Sequence, residues 1–428
     1  MAAKDANIKE FIIQAAKDKG RGVDIREGLT SFSYYENILS NHSSCSFQLM
    51  DSGNSIEKDG KKVSIVEGLP IRGGEEIRIS CLDSEKNPLK LEMYLNKMNS
   101  PDPTSTSDLL SISGVTKEFF SNEMTRVIKR YDGKISENVS SILREVLKAD
   151  FKEENIDETA NNYNFIGNDR KPFYTITWLG TKSIPTKEYG KTAGFFFFQT
   201  QDGMLYKSVD NLLGGKPKRK LVYTSSDALP TGYDAKIYSY EIDSTIDVQS
   251  ALMLGVYNNR TLFFDPYSFK YDAITFDIKE QKAVQHGGSE DQFDNMPEEF
   301  TRSPTRLMTN ILDVGAIPSG NNAIQQLKSW VASKNGTNDK VMERMVQSIM
   351  RYNQLFSVQS SITIDGDFSL RAGDMIKCDF PRVSEDKPTT DKSSSGQYLI
   401  SSLCHYITLE KCYTQLGLIR DSYGRIKE

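Results

Sequence analysis

Histidine, tryptophan and cysteine are scarce in this 428-residue chain, at 3, 2 and 5 residues. Cys45, Cys81, Cys378, Cys404 and Cys412 are odd in number and form no CxxC pair, which excludes a disulfide framework and a zinc knuckle. They are expected to be reduced packing residues, because a free cysteine behaves as a small hydrophobe. No stretch reaches the roughly 18 apolar residues of a bilayer span, and the strongest run, Phe195 to Phe198, reads as a buried strand. The N-terminus, MAAKDANIKEF, has no apolar signal-peptide core, so the chain is expected to fold in the cytosol of the cell that makes it, without membrane insertion. Lysine plus arginine number 53 against 58 acidic residues, a net charge of -5 that supplies no global field for nucleic acid or an anionic membrane.

Catalytic signatures are missing as well. Of His42, His286 and His405, only the last adjoins a cysteine, Cys404, and neighbours on a strand point to opposite faces, so no Cys-His dyad forms. His286 precedes Gly287-Gly288 without a G-x-S-x-G elbow to accompany it and reads as a loop. An EF-hand beginning at Asp365 would need Gly and Glu where Leu370 and Ile376 stand, so Asp365, Asp367 and Asp374 read as turn residues. No P-loop, Rossmann fingerprint or HExxH occurs. No catalytic, metal or cofactor residue is therefore assigned, and the chain reads as a structural protein rather than an enzyme.

What is present is aromatic and strand-forming: 20 Tyr and 21 Phe, which favour half-buried sheets. Asn7 to Ala15 is ambiguous, since Ile8, Phe11, Ile12 and Ala15 fit a helical stripe as well as a strand. Cys45, Phe47 and Leu49 alternate up to a DSGN turn, a strand is expected over Val63 to Val66, and Ile77 and Ile79 follow. Short strands at this spacing suggest a small antiparallel barrel. Ser136 is expected to cap a helix bearing Val139, Ile142, Leu143, Val146 and Leu147, and Pro172 to open another with Phe173, Ile176 and Leu179 inside. AGFFFFQTQDGMLYKSV then reads as a hairpin turning at Asp202-Gly203. Helices followed by a hairpin make an α+β unit over about 132–218.

Ile237 to Phe264 is strand-rich, with room for a helical turn within Val248 to Val256. Residues 266–345 are polar and then helical, with Ala323, Leu327, Trp330 and Val331 on one stripe and Met342, Met345, Ile349 and Tyr352 on the next; Trp330, Met342, Met345 and Met350 could form a partner groove but are more often core. The C-terminal block alternates cleanly: Ser360, Ile362 and Ile364, then Ile376, Cys378 and Phe380, then Cys412, Thr414, Leu416 and Leu418. Lys216, Lys218, Arg219 and Lys220 form the strongest charge cluster, readable as a solvated linker, a dock for an acidic partner, or a nucleic-acid contact. No aromatic platform surrounds it.

Nine segments in this order resemble the baseplate hub family of contractile-tailed bacteriophages: VDIREGLTSFSYYENILSN, FQLMDSG, GLPIRGGEEIRIS, SENVSSILREVL, KPFYTITWLGTKSI, AGFFFFQTQDG, ITIDGDFSLRAGDMIKCDFP, SGQYLISSLCHYI and YTQLGLIRDSYG. The resemblance implies a β-rich α+β fold with two small antiparallel, tube-like β-barrels, an α+β domain and a mixed, partly helical insertion. The first barrel would be 1–131, the α+β domain 132–218, the second barrel 219–265 with 346–428, and the insertion 266–345. It implies a homotrimer whose six barrels match the hexameric tail tube above and a central spike, on a separate chain, below. Tail tube or tube-initiator protein, tape-measure protein and baseplate wedge proteins are the other partners it implies, in a virion baseplate assembled in the host cytoplasm around the DNA channel. No specific nucleic-acid sequence is read. The alternative is a β-rich module binding carbohydrate or a host surface, for which the aromatic stretch Phe32 to Tyr35 is the candidate.

Overall fold

The computed structural model describes residues 6–15, 22–53, 56–58, 61–69, 71–103, 107–226, 228–242, 248–266, 269–277, 297, 299, 302–313, 315–316, 341–356, 358–382, 389–391, 394–408 and 411–421. His286, the polar stretch 279–296 and the stripe of Ala323, Leu327, Trp330 and Val331 lie outside them.

Among the described residues, the first 115 carry nine strands: β1 (Asn7–Gln14), β2 (Gly22–Asp24), β3 (Leu29–Asn37), β4 (Ser44–Asp51), β5 (Ile56–Lys58), β6 (Lys61–Val63), β7 (Glu76–Leu82), β8 (Pro88–Pro103) and β9 (Asp108–Val115). The ambiguous opening segment is a strand, because Phe11 and Ile13 alternate into a core shared with Phe32, Phe47, Ile77 and Ile112. The strand expected over Val63 to Val66 is not formed. The Ser64 hydroxyl accepts from the Glu67 amide at 3.2 Å and Asp51 accepts from the Ile65 amide at 2.7 Å, which winds Ile65–Gly68 into a helical turn, α1.

The middle of the chain carries helices followed by a hairpin. Helix α2 (Lys117–Met124) and the two-stranded pair β10 (Arg130–Tyr131) with β11 (Phe165–Ile166) flank α3 (Ile135–Ser141), which continues as a π-helical segment over Ile142–Leu147. The expected Ser136 cap is not a cap: the helix starts one residue earlier, and the buried Ser136 hydroxyl accepts from the Thr159 amide instead. Helix α4 (Pro172–Gly180) places Pro172 at its start and buries Phe173, Ile176 and Leu179, as its spacing predicts. Hairpin β12 (Phe195–Thr200) and β13 (Gly203–Ser208) turns at Gln201-Asp202, one residue before the expected place, with Gly203 at φ +104° closing it. Both faces of β12 are buried, since Phe195 and Phe197 enter the core of this unit while Phe196 and Phe198 pack on residues of the C-terminal barrel. Helix α5 (Val209–Leu213) follows, capped by Ser208.

Strands β14 (Lys220–Tyr223) and β15 (Ala235–Ile242) then lead through α6 (Val248–Met253) to β16 (Asn258–Asp265), β17 (Lys270–Asp277) and β18 (Arg306–Ile311). Residues 258–265, grouped by the sequence with the second barrel, pair instead with β17 and β18 in a separate three-stranded sheet. Helix α7 (Val341–Leu355) covers that sheet with Val346 and Met350 and turns Leu355 toward Phe198 and Ile419. The remaining strands are β19 (Val358–Asp365), β20 (Met375–Asp379), β21 (Pro381–Arg382), β22 (Thr389–Thr390), β23 (Gly396–Thr408) and β24 (Cys412–Arg420). In the order β23-β20-β14-β15-β19-β24 and back to β23 they close a barrel around Ile362, Ile376, Cys378, Leu403 and Leu416. It is antiparallel except at β14, which runs parallel to both β15 and β20.

The two barrels repeat one strand plan. Neighbours run β3-β4-β9-β8-β7 in the first and β15-β19-β24-β23-β20 in the second, in the same chain order. Bulges recur at equivalent places: Leu29/Ser31 matches Ile237/Ser239, and Leu95/Lys97 matches Ile400/Ser402. A bulge is a defined register device, so its recurrence aligns the barrels residue by residue and makes Phe32 the counterpart of Tyr240. The sixth position differs: parallel β14 pairs with both β20 and β15 and closes the second barrel, whereas antiparallel β1 pairs with β7 and β2, and among the described residues no β1–β3 pairing closes the first.

Candidate assembly surfaces

The joint between the barrels is a ladder of β3 with β23 running from Ser402↔Asn37 to Thr408↔Ser31. Strand β23 is long enough to pair with β20 over Met375↔Leu399 to Cys378↔Gly396 and then, on the same edge, with β3. One continuous sheet results, and Phe368, Ile407 and Cys412 from the second barrel complete the first barrel's core. Burying such side chains contributes roughly 1.5–3 kcal/mol each, so the two barrels are held at a fixed angle.

At the centre of the joint lies Glu36, 2% exposed. It accepts from the Tyr34 hydroxyl at 3.0 Å, the Gln201 amide at 2.8 Å and the Ala372 amide at 2.9 Å. These donors come from the first barrel, the α+β hairpin and the second barrel, so one carboxyl ties three units. Burial pushes its pKa up to about 7, against the opposing pull of Arg371 and the two amides. Arg371 itself pairs with Asp202 at 3.0 Å and donates to the Phe368 and Leu370 carbonyls. The signal was present in the sequence: Phe32, Tyr34 and Glu36 share a strand face, which puts a carboxylate where the alternation demands a core residue.

His405 is fully buried on β23, while Cys404 is half-exposed on the other face. Its Nδ1 lies 2.9 Å from the Thr414 hydroxyl, its ring is stacked on Tyr34, and burial pushes its pKa down to about 3. His42 packs on Phe119. The other four cysteines are buried and all five are free, as expected of packing residues.

In the basic cluster Arg219 is half-buried, whereas Lys216, Lys218 and Lys220 are exposed. Lys218 pairs with Asp374 at 2.9 Å. Arg219 reaches Asp367 of the second barrel at 2.7 Å and Glu85 of the first at 2.9 Å, so it clamps the two barrels. Burial works to raise the Asp367 carboxyl, but Arg219 and the Ser369 hydroxyl and amide hold it below the usual carboxylate range. Asp365 accepts from the Tyr238 hydroxyl at 2.8 Å, so Asp365, Asp367 and Asp374 each serve a separate tie. In the aromatic stretch Phe32 to Tyr35, Phe32 and Tyr34 are wholly buried and only Tyr35 meets solvent, at 41% exposure.

A second buried node escaped sequence reading entirely. Arg351 of α7 is 1% exposed and pairs with Asp421 at 2.7 Å and Asp210 at 3.4 Å. Asp210 also accepts from the Lys191 and Thr192 amides and the Thr192 hydroxyl. Residues separated by 70 and 141 positions meet there, and no local pattern announces it.

Two β-barrel-like units joined by one shared strand ladder and braced by an α+β unit make up a fold that this chain shares with solved tail proteins. Among solved structures, the chain is similar to the tail protein of Neisseria meningitidis MC58, with TM-score 0.53, 10% identity and 97% of each chain covered. It is likewise similar to the 43 kDa tail protein of prophage MuSo2 from Shewanella oneidensis, with TM-score 0.50, 8% identity, and 96% of this chain and 98% of that one covered. No family model and no curated protein matches the sequence.

Proposed function

We propose that the chain is a structural hub protein of a contractile tail's baseplate. It forms a trimeric ring of six barrels that adapts a hexameric tail tube to a trimeric central spike. The observation that carries this reading is the repeat of one barrel plan twice in the chain, joined edge to edge, in a fold shared nearly end to end with tail proteins. Three such chains present six similar barrels, which reconciles threefold with sixfold partners. The proposed division is 1–131, 132–218, 219–257 with 346–428, and an insertion beginning at Asn258, where the separate sheet starts.

A channel through the ring fits the surface chemistry of the sheet. Ser31, Ser46, Ser111, Ser113, Ser402 and Gln415 alternate with buried apolar residues on β3, β4, β9, β23 and β24. These side chains are uncharged, with Lys97 of β8 standing opposite Ser113, and a mostly uncharged wall suits DNA and tape-measure protein moving past. No catalytic role is assigned; tube protein, spike and wedge proteins are the partners in this reading, and the tail baseplate its location. The carbohydrate-binding alternative loses its platform, since Phe32 and Tyr34 face inward.

Light scattering together with negative-stain imaging tests the proposal. A ring of three chains is expected, alone or with tube and spike proteins present. A chain that stays monomeric with both partners refutes it.

A further inference from the structure

Among the described residues each barrel has a strand with part of one edge unpaired by a strand, and the joint within the chain shows what such edges are for. On β23 the edge that β20 leaves after Leu399 is taken by β3. On the equivalent strand β8, β7 pairs only from Pro88 to Tyr94, and the same edge from Lys97 to Pro103 has no strand partner among the described residues. The counterpart of β3 is β15. There β14 pairs only from Ala235 to Ile237, leaving Tyr238 to Ile242 without a strand on that edge among the described residues. Exposure records the same asymmetry. Phe32 is 0% exposed beneath the joint, whereas its counterpart Tyr240 is 36% exposed while resting on Tyr223 and Phe380.

We infer that β15 of one copy pairs antiparallel with the Lys97–Pro103 edge of β8 in a second copy, repeating between chains the β3–β23 ladder within the chain. This rests on the trimeric ring proposed above and specifies how that ring closes. The occupant is a second copy because the two free edges are complementary halves of a contact that this chain already makes once. They lie on different barrels, so the contact is heterologous: every chain offers β15 to one neighbour and β8 to the other. A heterologous contact whose rotation closes forms a ring, and one that copies the internal joint alternates first and second barrels around it. The bulge Leu95/Lys97 sets the register at the same point as Ile400/Ser402 does for β3. A second bulge on β8, between Asn99 and Asp102, has no counterpart on β23 and shifts that register by one, so the transfer puts Tyr240 and Glu241 opposite Pro103 and Asp102.

The test is a photo-crosslinking amino acid in place of Tyr240 in the full chain, with the mass in solution measured in parallel. The expected result is light-dependent covalent dimers and trimers whose adducts map to Lys97–Pro103 of another copy, with no ladder beyond three chains. As a second measurement, Tyr240→Arg is expected to lower the trimer fraction at least tenfold while leaving the monomer's thermal midpoint within a few degrees. Trimers with adducts elsewhere, and unaffected by Tyr240→Arg, overturn the strand contact and leave the ring reading standing. A monomer under every condition, with tube and spike proteins included, overturns both.

Discussion

Acidification from pH 7 to 5 is expected to leave the stability of the barrel joint nearly level, because two buried groups titrate against each other. Burial raises the folded pKa of Glu36 from an ordinary 4.5 to about 7. The folded state therefore holds this proton more tightly than the unfolded chain, and stability is gained as pH falls below about 7. Between pH 7 and 5 the linkage amounts to about 2 kcal/mol. His405 works in the opposite direction. Its folded pKa is depressed from 6.5 to about 3, so its contribution is present above pH 6.5 and is lost as pH falls, again by about 2 kcal/mol over the same interval. Glu36→Gln keeps the acceptor oxygen but removes the titration. In urea unfolding followed by circular dichroism, the variant should lose about 2 kcal/mol more than the wild type between pH 7 and 5, whatever the burial-depressed His42 adds to both profiles. Parallel profiles for the two proteins would refute the argument that Glu36 titrates inside the joint.

Arg351→Ala is expected to destabilise the protein by about 3–5 kcal/mol, because it leaves Asp210 and Asp421 buried without their cation; thermal unfolding measures this, and a shift under a degree would refute the node. Lys220→Glu should leave folding intact and lower assembly only if the exposed head of Lys220 docks an acidic partner, whereas Arg219→Glu should loosen the clamp to Glu85 and Asp367 and lower the thermal midpoint of the isolated chain. Equal effects of the two on that midpoint would contradict the division of the cluster into inner and outer members.

The helix from Pro172 and the strands at Val358–Asp365 and Cys412–Arg420 were legible because one covered face imposes its period on the residues, and these faces are covered along their whole length. Misreadings fell where a polar side chain overrode the apolar pattern, as Ser64 did beside Ile65, or where a strand was assigned correctly but not its neighbour, as with Asn258–Asp265. By itself the sequence determined that the chain is strand-rich, that its cysteines are packing residues, and that an α+β unit separates two β regions. Only the tertiary structure decided that β14 runs parallel, that β3 and β23 fuse two barrels into one sheet, and that Glu36 and Arg351 are tied across the joints. The physical reason is range: periodicity reports which face of a segment is covered, whereas strand pairing and buried ion pairs depend on residues brought together from hundreds of positions apart.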